Sequence, residues 1–272
     1  METFEKKIVN TNSMAGTLER KRIIEDALEN RELWLVFIES TLASAIILSA
    51  LIGNIVLCLS IYRFRSLRKI QNYYVVALAA SDFLLNLLCA PLGLVALFLE
   101  RWPFGDAVCQ IEGALAYFFA CFSLLNVTLI ALNRYVKMVR SADIYQRIYT
   151  KNNVLLSIAV SAVFSGIFVI PFAIQRFSFH PGQLLCFPSK SEDKDKQAII
   201  LSPYSVLIAV TYLLMAFCYY KVFRKVRAHF GRVADSTLQG HAMKLFSEEV
   251  KITKILFEIG RASCRERVYV LV

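Results

Sequence analysis

The 272-residue sequence predicts an all-α, polytopic membrane helical bundle, and three observations lead there. Five apolar stretches, Leu33–Tyr62, Tyr73–Leu99, Cys109–Leu132, Val154–Ile174 and Ala198–Val222, are each long enough to cross a hydrocarbon layer about 30 Å thick as a helix. They are apolar nearly all round, whereas a helix on a soluble domain keeps a polar face. The basic residues crowd into alternate connections. With 57% hydrophobic residues and a mean hydropathy of +0.53, the net charge of +10 has to sit between the spans.

The elements follow in order. Met1–Arg31 is charged throughout and lacks the apolar core of a cleavable signal, so the Leu33 stretch is expected to be its own insertion signal. The first connection carries Arg63, Arg65, Arg68 and Lys69 with no acid. The third carries Arg134, Lys137, Arg140, Arg147 and Lys151 against Asp143, and the segment after the fifth stretch Lys221, Arg224, Lys225, Arg227 and Arg232 against Asp235. The opposite side is nearly neutral: six bases against seven acids up to Glu32, Glu100, Arg101 and Asp106 in the second connection, and Lys190–Lys196 with three acids in the fourth. The positive-inside rule makes the basic loops cytoplasmic and residues 1–32 extracellular. Charges split in this way form no nucleic-acid patch. The one glycosylation triplet, Asn126-Val127-Thr128, falls inside a span.

Three segments carry the chemistry: Leu129-Ile-Ala-Leu-Asn133-Arg134-Tyr135-Val136 at the inner end of the third stretch, Gly53-Asn54-Ile-Val56 in the first, and Leu78-Ala-Ala-Ser-Asp82 in the second. With Trp102-Pro103-Phe104-Gly105 before the third helix and Cys109 lying 25 residues ahead of Arg134, the chain from about Trp34 to Ile259 resembles the rhodopsin-like family of G-protein-coupled receptors. The resemblance implies the seven-helix receptor architecture, here as five complete transmembrane helices and the start of a sixth. It implies a receptor domain over 33–259 that binds an extracellular ligand and passes a conformational change to a heterotrimeric G protein at the plasma membrane.

Asp82 sits mid-span, where a carboxylate costs roughly 2.5–3.5 kcal/mol unless something solvates it. By resemblance Asn54 and Ser123 surround a sodium ion beside it, the one cofactor expected; a protonated Asp82 acting as helix–helix glue is the alternative. Arg134 is implied as the activation switch, with Tyr135 beside it and Tyr219 and Glu249 on the fifth and sixth helices. The family's usual aspartate before this arginine is Asn133 here, so a local ion pair becomes a neutral hydrogen bond and the resting state is expected to be held less firmly. An arginine that only snorkels to the headgroups is the competing reading.

Of the seven cysteines, Cys58, Cys89, Cys121 and Cys218 lie within apolar helices and read as core residues. Cys109 and Cys186 fall on the outer face, and the family joins them. Such a bridge is worth about 4 kcal/mol on the loop-entropy model. Helical spacing puts Gly113, Ala116, Tyr117 and Ala120 on one outer face of the third helix, where the family binds small molecules; tight helix packing explains small residues there equally well. Ala116 stands where amine receptors carry an aspartate, which disfavours a biogenic amine.

Pro91 is expected to kink the second helix and Pro171 to end the fourth. Thr211 takes the place of the family's mid-helix proline in the fifth, Ser141 that of a loop proline, and the fourth helix lacks the usual tryptophan. Residues 260–272 begin Gly260-Arg261-Ala-Ser-Cys264-Arg265-Glu266-Arg267, charges that add on the order of 10 kcal/mol to insertion, so this polar tail is expected to be foreign to the receptor pattern.

Two other functions compete: a non-signalling truncated receptor that pairs with full-length receptors and is retained in the endoplasmic reticulum, and a transporter subunit, which predicts an internal repeat that the sequence does not show. No phosphate loop, metal-ligand cluster or nucleophile elbow suggests an enzyme, and His180, His229 and His241 read as solvated.

Overall fold

A computed structural model describes residues 32–180, 185–189 and 194–233. The described residues contain seven helices and one two-stranded sheet: α1 Leu33–Arg63, α2 Asn72–Leu88, α3 Ala90–Leu99, α4 Gly105–Val139, α5 Ala142–Ile148, α6 Lys151–Gln175, β1 Phe177–His180, β2 Leu185–Pro188 and α7 Lys194–Val233. Five membrane-length spans result, because α2 and α3 together make one. They match the five apolar stretches and extend past them. Charged residues at the ends, such as Arg134 and Lys137 on α4, continue the helical hydrogen bonding beyond the apolar run.

The apolar spans dispose of their polar side chains locally. On α1, Thr41, Ser44 and Ser49 each donate to the carbonyl four residues back, at 2.7 Å, and Asn54 donates its amide to Ala50 O at 2.9 Å. Those bonds satisfy the groups where no water is available. The helix buries only Val36 and leaves most of its large apolar side chains exposed, as a lipid-facing span does. It ends at Arg63, and Arg68 folds back to donate through Nε to Tyr62 O at 3.0 Å.

The second span breaks at Cys89. Pro91, in the first turn of α3, has no N–H to give to the preceding turn, so the chain starts a new helix there, as expected. Pro171 behaves differently from its expectation. Helix α6 carries it internally and runs on to Gln175, so one missing donor near the outer end is tolerated and the helix stop comes at Arg176, which takes the left-handed φ of +69°. Pro203 likewise lies inside α7.

Three elements have no counterpart in the sequence reading. A short 3-10 turn, Arg65–Leu67, and the helix α5 fill the first and third connections. The antiparallel pair β1–β2 fills the fourth, in the register Phe177 opposite Pro188, Ser178 opposite Phe187, Phe179 opposite Cys186 and His180 opposite Leu185.

Residues group into two compact units. One takes the described residues up to Leu59, Ala79–Cys121 and Phe164–Pro203; its fully buried side chains include Phe172, Phe177 and Glu112. The other takes Ser60–Leu78, Phe122–Val163 and the described residues from Tyr204 onward. It holds two apolar clusters, one of Leu124, Ala131, Met215, Cys218 and Tyr219, the other of Tyr74, Ile130 and Val154. Within it, Tyr74 and Ser157 share a hydrogen bond of 2.8 Å. Tyr149, just past α5, stacks on Tyr145 at 5.1 Å and packs on the Tyr74 cluster; burial pushes its phenol above the ordinary tyrosine range.

Candidate functional site

The expected ligand residues lie on the outer part of α4, in the hairpin-bearing unit. Cys109 and Cys186 form the disulfide, with Cα atoms 5.5 Å apart, so β2 is tied to the first turns of α4. Further bonds fix the hairpin to the same helix. Gln110 accepts the Phe177 N–H through Oε1 at 2.8 Å and donates Nε2 to Phe177 O at 2.5 Å. Glu112, 2% exposed, accepts the Cys186 N–H at 3.3 Å, and Asp106 pairs with Arg176 at 3.0 Å. Trp102 donates to Gly105 O, where φ is +78°, and its ring lies against Phe104 and Phe179 at 5.2 and 5.9 Å. The Trp102-Pro103-Phe104-Gly105 segment therefore braces the hairpin.

This arrangement covers the expected pocket face. A Cβ placed on Gly113 would come 2.4 Å from Cδ1 of Phe177, so the phenyl ring of β1 rests on the bare glycine backbone. Gly93 of α3 meets Leu185 of β2 in the same manner, at 3.0 Å. Tyr117 is ringed by Phe172, Phe177 and Phe187 at centroid distances of 5.1, 5.6 and 6.5 Å. Ala116 and Ala120 are half-buried on the same helix. His180, read as solvated, is half-buried in an edge-type contact with Phe187 at 6.3 Å, on the face of the hairpin opposite Phe177. His229 and His241 have no described side chains.

Asn54 and Asp82 are half-buried in this unit, and Asn86 donates to the Asp82 backbone carbonyl at 2.8 Å. Ser123, in the other unit, is buried at 2% exposure. Because Asn54 spends its NH₂ group on Ala50, its amide oxygen is the atom left to meet a cation or a proton. Oxygen donors of this sort suit a hard monovalent ion. No group of three or more His, Cys, Asp or Glu that could hold a metal occurs among the described residues.

In the other unit the inner end of α4 is buried where a snorkelling cation would be exposed. Asn133 is 2% and Arg134 9% exposed. Arg134 acts electrostatically on the Tyr219 hydroxyl of α7, and Tyr219 belongs to the Leu124 cluster. Tyr135 packs on that cluster, with Phe217 5.8 Å from its ring and the Arg140 guanidinium over it at 6.0 Å. The buried amide nitrogen of Asn133 finds no hydrogen-bond partner among the described residues. Glu249 lies outside them.

Several buried polar residues escaped the sequence reading, among them Ser161, Ser165, Glu112 and Asn126. Glu112 is an acid inside an apolar run, a signal as strong as that of Asp82. Asn126, fully buried and donating to Phe122 O at 2.9 Å, attracted notice only as a glycosylation triplet. Conversely Cys58, read as a core residue, is only partly buried, because α1 has so few neighbours.

Five membrane-length helices, a disulfide-tied hairpin near the start of α4 and a buried Asn133-Arg134 near the end of the same helix fit the build of a seven-helix receptor. The family model described as "7 transmembrane receptor (rhodopsin family)" matches residues 53–259, and the chain belongs to that family. Its relatives include melatonin receptor type 1B-B of Danio rerio, 30% identical over 192 residues covering 67% of this chain and 53% of that receptor. The 5-hydroxytryptamine receptor 4 of Cavia porcellus is 26% identical over 70% of this chain and 51% of its own length. Octopamine receptor beta-1R of Drosophila melanogaster is 32% identical, covering 48% and 26%. The chain thus spans about half the length of the curated relatives it matches first. The crystal structure of squid rhodopsin superposes with a TM-score of 0.70 at 20% identity, over 84% of this chain and 68% of that one, which shows the same fold. This is a multi-pass membrane protein.

Proposed function

We propose that the chain is the ligand-sensing part of a G-protein-coupled receptor at the plasma membrane, with the hairpin end outside and residues 33–259 as its receptor domain. The observation that carries this reading is the burial of Asn133 and Arg134 at the end of α4 beside Tyr219 of α7. A buried cation beside a side chain of another helix is the element that a conformational signal needs, and a lipid anchor would have no reason to be inside. The Cys109–Cys186 bond supports the orientation, since disulfides persist on the oxidising side. Asp82, half-buried in the same unit as Asn54, is read as the polar group that holds either sodium or a proton. Ala116 argued against a biogenic amine, but the relatives named as serotonin and octopamine receptors weigh against that exclusion, and amines stay among the candidate ligands. Neither the transporter nor the silent-partner reading gains a specific observation.

The test is a chimera in which the chain continues after Ile259 into the remaining C-terminal part of the Danio rerio melatonin receptor, with surface copy number and agonist-independent second-messenger output both measured. Output above that of untransfected cells, and a fall of about threefold or more on Asn133→Asp as the ion pair is restored, supports the switch. An equal or higher baseline in Asn133→Asp overturns it. Replacing sodium by a bulky cation should alter the baseline of the native chimera and leave Asp82→Asn unmoved; equal responses assign Asp82 to the protonated, ion-free role.

A further inference from the structure

We propose that Phe177 is a resident occupant of the ligand face, so that an incoming ligand gains access by putting a single flat ring where the phenyl group now lies. The proposal rests on the receptor reading above, since it takes Gly113, Ala116, Tyr117 and Ala120 as that face.

Three features separate this ring from ordinary loop packing. First, it is the hairpin side chain that meets α4 at a glycine: the ring lies so close that even a methyl group on Gly113 would require it to move. A residue with any side chain there would close the space, so the slot exists only while position 113 is bare. Second, the ring is held from behind. The two hydrogen bonds between Gln110 and the Phe177 backbone fix its Cα against α4, which leaves rotation of its own side chain as the way in or out. Third, an aromatic face lies beside it: the Tyr117 ring of α4 is 5.6 Å from the phenyl and is itself backed by Phe172 of α6 at 5.1 Å, so a flat wall remains for another ring when the phenyl swings away. Phe177 itself is 1% exposed, so its site is dry and ring-sized. Such a slot takes a benzene-like group and excludes bulky saturated ones.

The experiment uses toluene as the probe and the chimera above as the protein. Detergent-solubilised native, Phe177→Ala and Phe177→Ala/Gly113→Val forms are melted with and without toluene, unfolding being followed by thiol labelling of the buried Cys89, Cys121 and Cys218. Toluene is expected to raise the midpoint of Phe177→Ala by about 3 °C and that of the other two by about 1 °C or less, because only the first has an empty slot. Equal shifts in all three overturn the proposal. If Phe177→Ala does not fold, Phe177→Leu, with a smaller opening, takes its place under the same criterion. The second readout is basal output per surface receptor. Phe177→Ala should change it about threefold or more, and toluene should bring it back toward the native value. A melting response with output fixed, in a chimera whose output still responds to Asn133→Asp, reduces Phe177 to packing and overturns its role as an occupant. A chimera silent in every form counts against the receptor reading instead, and the melting comparison then decides occupancy by itself.

Discussion

In the unit that carries the hairpin, α4 grips the following loop through a disulfide, two backbone bonds from Gln110, the Glu112 carboxylate and the Asp106–Arg176 pair. The unit that carries Arg134 holds apolar clusters around Leu124 and Tyr74, with the Tyr74–Ser157 hydrogen bond beside the second. Directional bonds have one geometry, whereas apolar contact is roughly proportional to area and tolerates sliding. The hairpin's tethers therefore fix one geometry, whereas the two apolar clusters are held by area.

Breaking the tethers should show that contrast in order of size. Cys186→Ser, which opens a 77-residue separation, should cost about 4 kcal/mol and lower the melting midpoint on the order of 10 °C. Glu112→Leu comes next. It leaves the Cys186 N–H buried without an acceptor, for about 2 kcal/mol, whereas Glu112→Gln keeps an acceptor and should cost clearly less in the same melt. In the other unit Tyr74→Phe should cost about 1 kcal/mol, and combining it with Ser157→Ala should add little, since both remove one bond. The smallest effect belongs to Arg176→Ala. Its partner and it are 69% and 67% exposed, and the change should register about 0.3 kcal/mol or less, screened further by salt. If Tyr74→Phe proved costlier than Glu112→Leu, the contrast between the units would be wrong.

The sequence made the spans legible because a hydrocarbon layer imposes a length and an all-round apolar surface, and both survive in the residue order. It made the disulfide legible through family resemblance, and the same resemblance drew notice to Asn133 and Arg134, which are buried. The hairpin was hidden for a physical reason: two strands of four residues each carry too little alternation to stand out, and their stability comes from α4, to which they are bonded, more than from their own composition. Helix α5 was hidden likewise, with no apolar stripe and no side-chain cap at Ser141. Pro171 misled because one missing donor, near a helix end, costs less than a full stop. Gly113 was read as part of a smooth face; that a phenyl ring from another element lies on it is not written in the residue order, because the contact joins residues 64 positions apart.

The tie between Cys109 and Cys186 also constrains how the chain is made. Its two sulfurs belong to a helix and to a loop that leave the ribosome far apart, with α6 threaded between them. Covalent closure therefore demands that two successive spans have been inserted with opposite polarity. A molecule in which either span failed to cross would leave the two sulfurs on opposite faces of the hydrocarbon layer, too far apart to join, so the crosslink closes only on copies in which both helices span it.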